Sequence, residues 1–204
     1  MNEKKDYKIL RRICTAVART AMRLYFRLEI EGAENLQKVE GVLVCSNHRS
    51  GLDPILVMMG AKQRFIHFFG KQSLSKHKLI RWLLCDVLCM HTVSHSGGDL
   101  SAIKWGVGNL RAGKPVGIFP EGTRNRTEEP LLPFEAGTAV IACMAKVPVI
   151  PVSISTTYKL WSKCRIVYGA PIFFDDYYAK RPDEAAKEHI MQEIRENVLK
   201  NLKK

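Results

Sequence analysis

A chain of 204 residues that is 46% hydrophobic and 25% charged has enough apolar side chain for one sizeable core, which excludes a disordered polymer. Its formal net charge of +12 asks for an anionic partner: nucleic acid, an acidic lipid surface or a phosphorylated substrate. No apolar run approaches the roughly 18 residues of a membrane span, and six cysteines (14, 45, 85, 89, 143 and 164) set mostly within apolar segments, with no secretory leader, point to reduced thiols in a cytoplasmic compartment rather than a disulfide framework.

Residues 1–28 hold eight basic side chains (Lys4, Lys5, Lys8, Arg11, Arg12, Arg19, Arg23, Arg27) against Glu3 and Asp6, about half of the chain's positive excess. On a helix, Ile9, Leu10, Ile13, Val17, Leu24 and Leu28 share one face, and Lys8, Arg11, Arg12, Arg19 and Arg23 share the other. Met22 and Phe26 break the pattern on the basic side. Two arrangements fit: a basic amphipathic helix lying in the plane of an anionic membrane interface, or a helix that packs its stripe on its own domain and leaves the arginines solvated. The density of arginine favours the membrane. The expected organisation is therefore a membrane-interface helix over 1–28 followed by one domain over 29–204.

Glu29 to Gly32 reads as an edge strand and turn. Val42, Leu43 and Val44 form a short buried strand, and Asp53-Pro54 opens a helix through Ile55, Leu56, Val57 and Met58, with proline at its first position. Arg64 to Phe69 alternates like a strand. Ser75 is positioned to start a helix whose apolar face is Leu79, Ile80, Leu83, Leu84, Val87 and Leu88, and Met90 to Val93 is a further short strand. Asp99 caps a helix through Ile103, Val107 and Leu110, closed by Gly113. Strands follow at Val116–Phe119, Val149–Ser155 and Cys164–Tyr168, with helices from Ala136 to Ala145 and after Pro182. This order predicts an α/β fold: a single, mostly parallel or mixed sheet flanked by helices.

His48 lies in the loop between the strand at Val42–Val44 and the helix at Asp53, with Asp53 five positions on. Ligands bind at such loops in α/β sheets, and a histidine beside a carboxylate there can act as an oriented general base. The structural alternatives are that Asp53 only caps a helix and that His48 only bonds backbone. Cys45, three residues from His48, is a rival nucleophile, expected to be buried in the strand. A second loop, Phe119-Pro120-Glu121-Gly122-Thr123-Arg124, also follows a buried strand, and its guanidinium suits a phosphate. Two other patterns are set aside. Gly108 to Lys114 has the spacing of a phosphate-binding loop but ends a helix, and Pro115 stands where a hydroxyl is needed. Cys85, Cys89, His91 and His95 match no common zinc spacing, so no metal is expected. Aromatic residues sit in apolar segments and not among the basic ones, which disfavours nucleic acid as the partner.

Asn47-His48 with Asp53, and Phe119 to Arg124 some seventy residues later, resemble the glycerolipid acyltransferase family, especially the bacterial 1-acylglycerol-3-phosphate acyltransferases. Phe69-Gly70-Lys71-Gln72-Ser73-Leu74 and Val147-Pro148-Val149-Ile150-Pro151-Val152 look like two further blocks of that family, so the resemblance covers roughly residues 30 to 170. Ser73 stands where many members carry an acidic residue, and Asn125 where many carry serine. The resemblance implies catalysis by His48 and Asp53, with the acceptor phosphate held by Arg124 and Lys71. Glu121, Gly122 and Thr123 would shape the pocket. It further implies an acyl thioester donor (acyl-coenzyme A or acyl-carrier protein), lysophosphatidic acid as acceptor, no bound cofactor, and a peripheral, monotopic location on the cytoplasmic face of the membrane.

Overall fold

Alternation along the second strand divides the core. Val42 and Val44 face one side with Phe26, Leu56, Ile150 and Ile154, and Leu43 and Cys45 face the other with Val107, Leu110, Ile141 and Ile190. All are buried, so helices must cover both faces. The computed structural model describes residues 7–62, 64–71, 77–93, 100–178 and 182–202. It holds seven strands: β1 (Arg27–Glu31), β2 (Leu43–Ser46), β3 (His67–Lys71), β4 (His91–Val93), β5 (Val116–Ile118), β6 (Val149–Thr156) and β7 (Lys163–Tyr168). They form one sheet in the order β1-β7-β6-β2-β5-β3-β4. Every pairing is parallel except β6 with β7. The expected mixed sheet flanked by helices is the fold observed.

The helices are α1 (Lys8–Tyr25), α2 (Asp53–Val57), α3 (Lys78–Arg81), α4 (Leu100–Arg111), α5 (Gly137–Ala145) and α6 (Glu184–Leu202). The single amphipathic helix expected around Leu79 to Leu88 is instead four residues of α3 followed by a π-turn segment, Trp82–Val87, of which only Val87 is buried. Leu79 and Ile80, in α3, are exposed. Ser75 and Asp99, expected as helix starts, lie outside the described residues. The Gly108 to Lys114 segment does close α4, with Gly113 in the left-handed region at φ +75°.

α1 forms as the stripe predicts, but the face it turns inward is the other one. Met22 and Phe26, which broke the pattern, are buried in the core. Arg11 donates from Nε to the Val87 carbonyl at 2.7 Å and lies over the Phe65 ring at 5.2 Å. Arg19 donates to the carbonyls of Lys62 (2.6 Å) and Met58 (2.9 Å). Two arginines assigned to a solvated face are thus the polar grip of α1 on the domain. Most of the stripe is left outside, with Ile9 77%, Val17 64% and Leu24 72% exposed, while Leu10 and Leu28 are half-buried and Leu28 packs on the core. The alternative in which the whole stripe packs on the domain does not describe α1.

Candidate active site

Parallel pairing explains why segments far apart in sequence meet. β2 and β5 are neighbours with Cys45 opposite Ile118, so the loops after Ser46 and after Ile118 leave the same edge of the sheet side by side. β6 flanks β2 on its other side, with Ser46 opposite Val152, and β3 flanks β5. This carboxyl edge of an open sheet is where α/β folds build their sites.

Asn47 starts the turn. Its side-chain amide donates to the Ile154 carbonyl (3.0 Å) and its side-chain oxygen accepts from the Ile154 amide (2.8 Å). It thereby continues the β2–β6 ladder for one more rung while the backbone departs from the sheet. His48 follows, its ring stacked on Phe119 at 4.1 Å between centroids, and Phe119 is stacked in turn on Phe68. The His48 backbone joins the two motif loops. Its amide donates to Glu121 Oε1 at 2.7 Å, and its carbonyl accepts from the Asn125 amide at 2.7 Å.

Asp53 is 0% exposed, and its carboxylate accepts four hydrogen bonds. Oδ2 accepts from His48 Nδ1 (2.9 Å), the Arg49 amide (2.7 Å) and the Ser50 amide (2.8 Å), and Oδ1 accepts from the Tyr158 hydroxyl (2.8 Å). Its side chain makes no capping bond to α2. The helix-cap alternative therefore fails, because the carboxylate reaches back to the loop and fixes the imidazole. α2 carries Asp53, and Tyr168 anchors the far end of α2 by accepting from the Gly60 amide and donating to the Val57 carbonyl. A Cβ at Gly60 would lie 2.5 Å from the Tyr168 ring, so only glycine fits there.

An ionised carboxylate only accepts, so Nδ1 carries the ring proton and Nε2 keeps its lone pair. His48 is 18% exposed, which opens that lone pair to a substrate hydroxyl. The pair is thus arranged as a general base with a fixed tautomer. The Arg49 and Ser50 amides are consumed by Asp53 and are not available to a developing oxyanion. Cys45 is fully buried, and burial pushes its thiol well above the ordinary cysteine range. A thiolate nucleophile there is excluded.

The second loop separates into two kinds of residue. Glu121 does not face the solvent. It is buried, and its carboxylate accepts from the amides of His48 and, at 2.9 Å, Leu132. Burial raises its pKa, opposed by those two bonds. Glu121 shapes the site from beneath, as a clamp between loops. Gly122 adopts φ +63°, where a Cβ would lie 2.2 Å from the Glu135 carboxylate. Thr123 and Arg124 are exposed, and among the described residues no carboxylate pairs with Arg124. Lys71 closes β3 at the same sheet edge; its side chain lies outside the described residues, as do Ser73 and His95. Asn125 is buried in support of its own loop, accepting from Thr127 and donating to the Glu129 carbonyl at 2.8 Å. No group of three His, Cys, Asp or Glu among the described residues is arranged to hold a metal ion.

Residues 27–155, well over half of the chain, match the family model described as Acyltransferase. The chain belongs to that family. A 1-acyl-sn-glycerol-3-phosphate acyltransferase of Bacillus subtilis (strain 168) is 27% identical over 193 residues, spanning 91% of this chain and 95% of the relative. One from Borreliella burgdorferi is 26% identical over 195 residues, spanning 86% and 72%. The crystal structure of the 1-acyl-sn-glycerophosphate (LPA) acyltransferase from Thermotoga maritima shares the fold, with a TM-score of 0.72 over 98% of this chain and 82% of that one, at 23% identity. This chain is an acyltransferase, and the structure brings the two motif loops together at His48, Asp53 and Glu121. The sequence motifs missed Tyr158, which has no fixed spacing from Asp53, and Arg49, whose guanidinium ties the Thr127 and Glu129 carbonyls to the loop. A tyrosine in a turn between two strands was the only signal for the first.

Proposed function

We propose that the enzyme transfers an acyl group from a thioester, acyl-coenzyme A or acyl-carrier protein, to the sn-2 hydroxyl of 1-acylglycerol-3-phosphate, giving phosphatidic acid. The observation that carries this reading is the His48 imidazole, held by Asp53 through Nδ1 and open at Nε2. Nε2 takes the hydroxyl proton as the oxygen attacks the thioester carbonyl. Asp53 stabilises the imidazolium that forms. When the tetrahedral intermediate collapses, the thiolate leaves and receives that proton, so no acyl-enzyme is required. Arg124, exposed on the adjoining loop, supplies a planar fork for the acceptor phosphate, with Lys71 as a second cation. The names of the Bacillus and Borreliella relatives favour this acceptor.

The same reading puts the enzyme on the cytoplasmic face of an anionic membrane as a peripheral protein. None of the described helices is long and apolar enough to cross a bilayer. The support is the outward stripe of α1 together with Leu160 and Trp161 in the β6–β7 turn, the latter 68% exposed. The Trp161 amide donates to the Tyr25 carbonyl at 2.7 Å, so turn and helix end share one surface. Acceptor and product are both lipids, and an enzyme seated in the interface need not draw them into water.

The test is thiol release from acyl-coenzyme A across a panel of acceptors. Release that depends on lysophosphatidic acid is expected. Release without any acceptor would make the protein a thioester hydrolase, and preference for glycerol-3-phosphate or another lysophospholipid would keep the chemistry and change the substrate.

A further inference from the structure

Asp53 has two carboxylate oxygens with different surroundings. Oδ2 is saturated by His48 and the two amides that precede α2. Oδ1 is buried, and the hydroxyl of Tyr158 donates to it at 2.8 Å. A carboxylate held at one oxygen can still swing about its last side-chain bond, whereas one held at both cannot. The backbone of Tyr158 is itself unusual. It lies in the left-handed region at φ +58°, which is strained for a residue with a Cβ. Both of its peptide groups are held, the amide donating to Thr156 Oγ1 (3.3 Å) and the carbonyl accepting from the Tyr25 hydroxyl (3.3 Å). Non-glycine residues persist in such a conformation where the surroundings over-determine them, and here the result is to aim a phenol at the carboxylate that orients the base. Burial and the neighbouring Asp53 charge raise the phenol's pKa, so it remains a donor through the physiological range.

Resting on the acyl-transfer reading of His48, we propose that Tyr158 is a positioning residue of this acyltransferase: its hydroxyl locks the Asp53 carboxylate and disperses part of its charge, setting both the orientation and the basicity of His48. The bland reading is that Tyr158 merely packs on the core cluster beside α2, where its ring also lies. The two differ in what the hydroxyl does. A carboxylate relieved of that donor concentrates more charge on Oδ2 and holds a proton on the imidazole more strongly, so the His48 pKa rises. Other titratable groups around the pair are Glu121 and Arg49 on the His48 side and the Cys164 thiol near Tyr158, and none of them is removed with the phenolic oxygen.

The variant is Tyr158→Phe, which keeps the ring and the backbone and removes only the donor. Its first readout needs no substrate. The His48 imidazole, followed by NMR in the intact enzyme, should titrate at a higher pH than in wild type. The second is turnover, with kcat expected to fall about 5- to 30-fold while KM for donor and acceptor stays within about twofold. A double-mutant cycle with Asp53→Asn should find the two losses strongly non-additive, since Tyr158 acts through Asp53. An unshifted imidazole titration with unchanged kcat, or losses that add in full, would overturn the proposal. Because the NMR titration is independent of the acceptor, a failure of the lysophosphatidic acid reading would leave it intact. Should Tyr158→Phe prove unstable, Thr156→Val and Tyr25→Phe loosen the Tyr158 backbone instead, and an unmoved imidazole pKa in both would equally sink the idea.

Discussion

His48 offers one nitrogen to the substrate and commits the other to Asp53, so replacing either should be costly in different ways. His48→Ala should lower acyl transfer by roughly 100-fold or more, the usual scale of a general base, and near-normal transfer by the folded variant would end the mechanism. Asp53→Asn should lose at least about 10-fold, because a neutral amide no longer stabilises the imidazolium and, with its NH2 turned towards Nδ1, fixes the wrong tautomer. Cys45→Ala should stay active, its thiol being buried behind the strand. Arg124 is tested by comparison of acceptors. Arg124→Ala should cost about 2–4 kcal/mol in kcat/KM on lysophosphatidic acid, Arg124→Lys should recover part of it, and the residual rate on a monoacylglycerol should hardly move. An equal fractional loss on both acceptors would assign Arg124 to the donor or to folding. Glu121 belongs to a different class, because glutamine there presents an NH2 group to one of the two amides that the carboxylate accepts. Glu121→Gln should therefore lower kcat and stability together.

α1 shows where periodicity stops being informative. Spacing identified which side chains share a face, and the stripe of Ile9, Ile13, Val17 and Leu24 is intact in the structure. Spacing does not say which face turns inward, and here the inward face is the one with Arg11, Arg19 and Met22. Guanidinium groups can be buried when backbone carbonyls await them, and those carbonyls, at Met58, Lys62 and Val87, belong to elements whose ends only the tertiary structure reveals. The π-turn that frees the Val87 carbonyl was equally invisible, since a change in winding leaves no mark on composition. These facts decide how α1 is best tested. Deleting residues 1–24 would strip Arg11, Arg19 and Met22 from the domain along with the stripe. The combined variant Ile13→Ser, Val17→Ser and Leu24→Ser touches only the outward face, and it should weaken binding to anionic vesicles without lowering Tm. Arg19→Ala should do the reverse, losing about 1–3 kcal/mol of stability from two abandoned carbonyls. Vesicle binding unchanged by the triple variant would return α1 to a purely structural role.

At the scale of the molecule, the α/β class was legible because buried strands and helical periodicity alternate along the chain, whereas the strand order was not, and the two motif loops were joined by their resemblance to one family. The pairing that brings Tyr158 to Asp53 is not local. It depends on β6 lying beside β2 and on the turn into the antiparallel β7, which no spacing rule records. The global response to acid is set partly by His67 in β3, whose pKa burial depresses to about 4. The unfolded chain then binds this proton more readily than the native one, so stability is full above the ordinary imidazole range and falls as pH drops through it towards the native value. One proton gives a slope approaching ~1.4 kcal/mol per pH unit, and His67→Gln should flatten the decline in Tm between pH 7 and pH 5 relative to wild type. The inverted seating of α1 has a practical consequence for handling the enzyme. On the membrane reading, Arg12, Arg23 and Arg27 remain outside and contribute an attraction that a molar salt wash, with a screening length of ~3 Å, largely removes. The hydrocarbon of Ile9, Val17 and Leu24 is indifferent to such a wash, and each side chain fully buried in lipid is worth about 1.5–3 kcal/mol. Washed membranes should thus retain much of the protein, and a non-ionic detergent should release it still folded, because the arginines that fasten α1 to the domain lie where micelles do not compete for them.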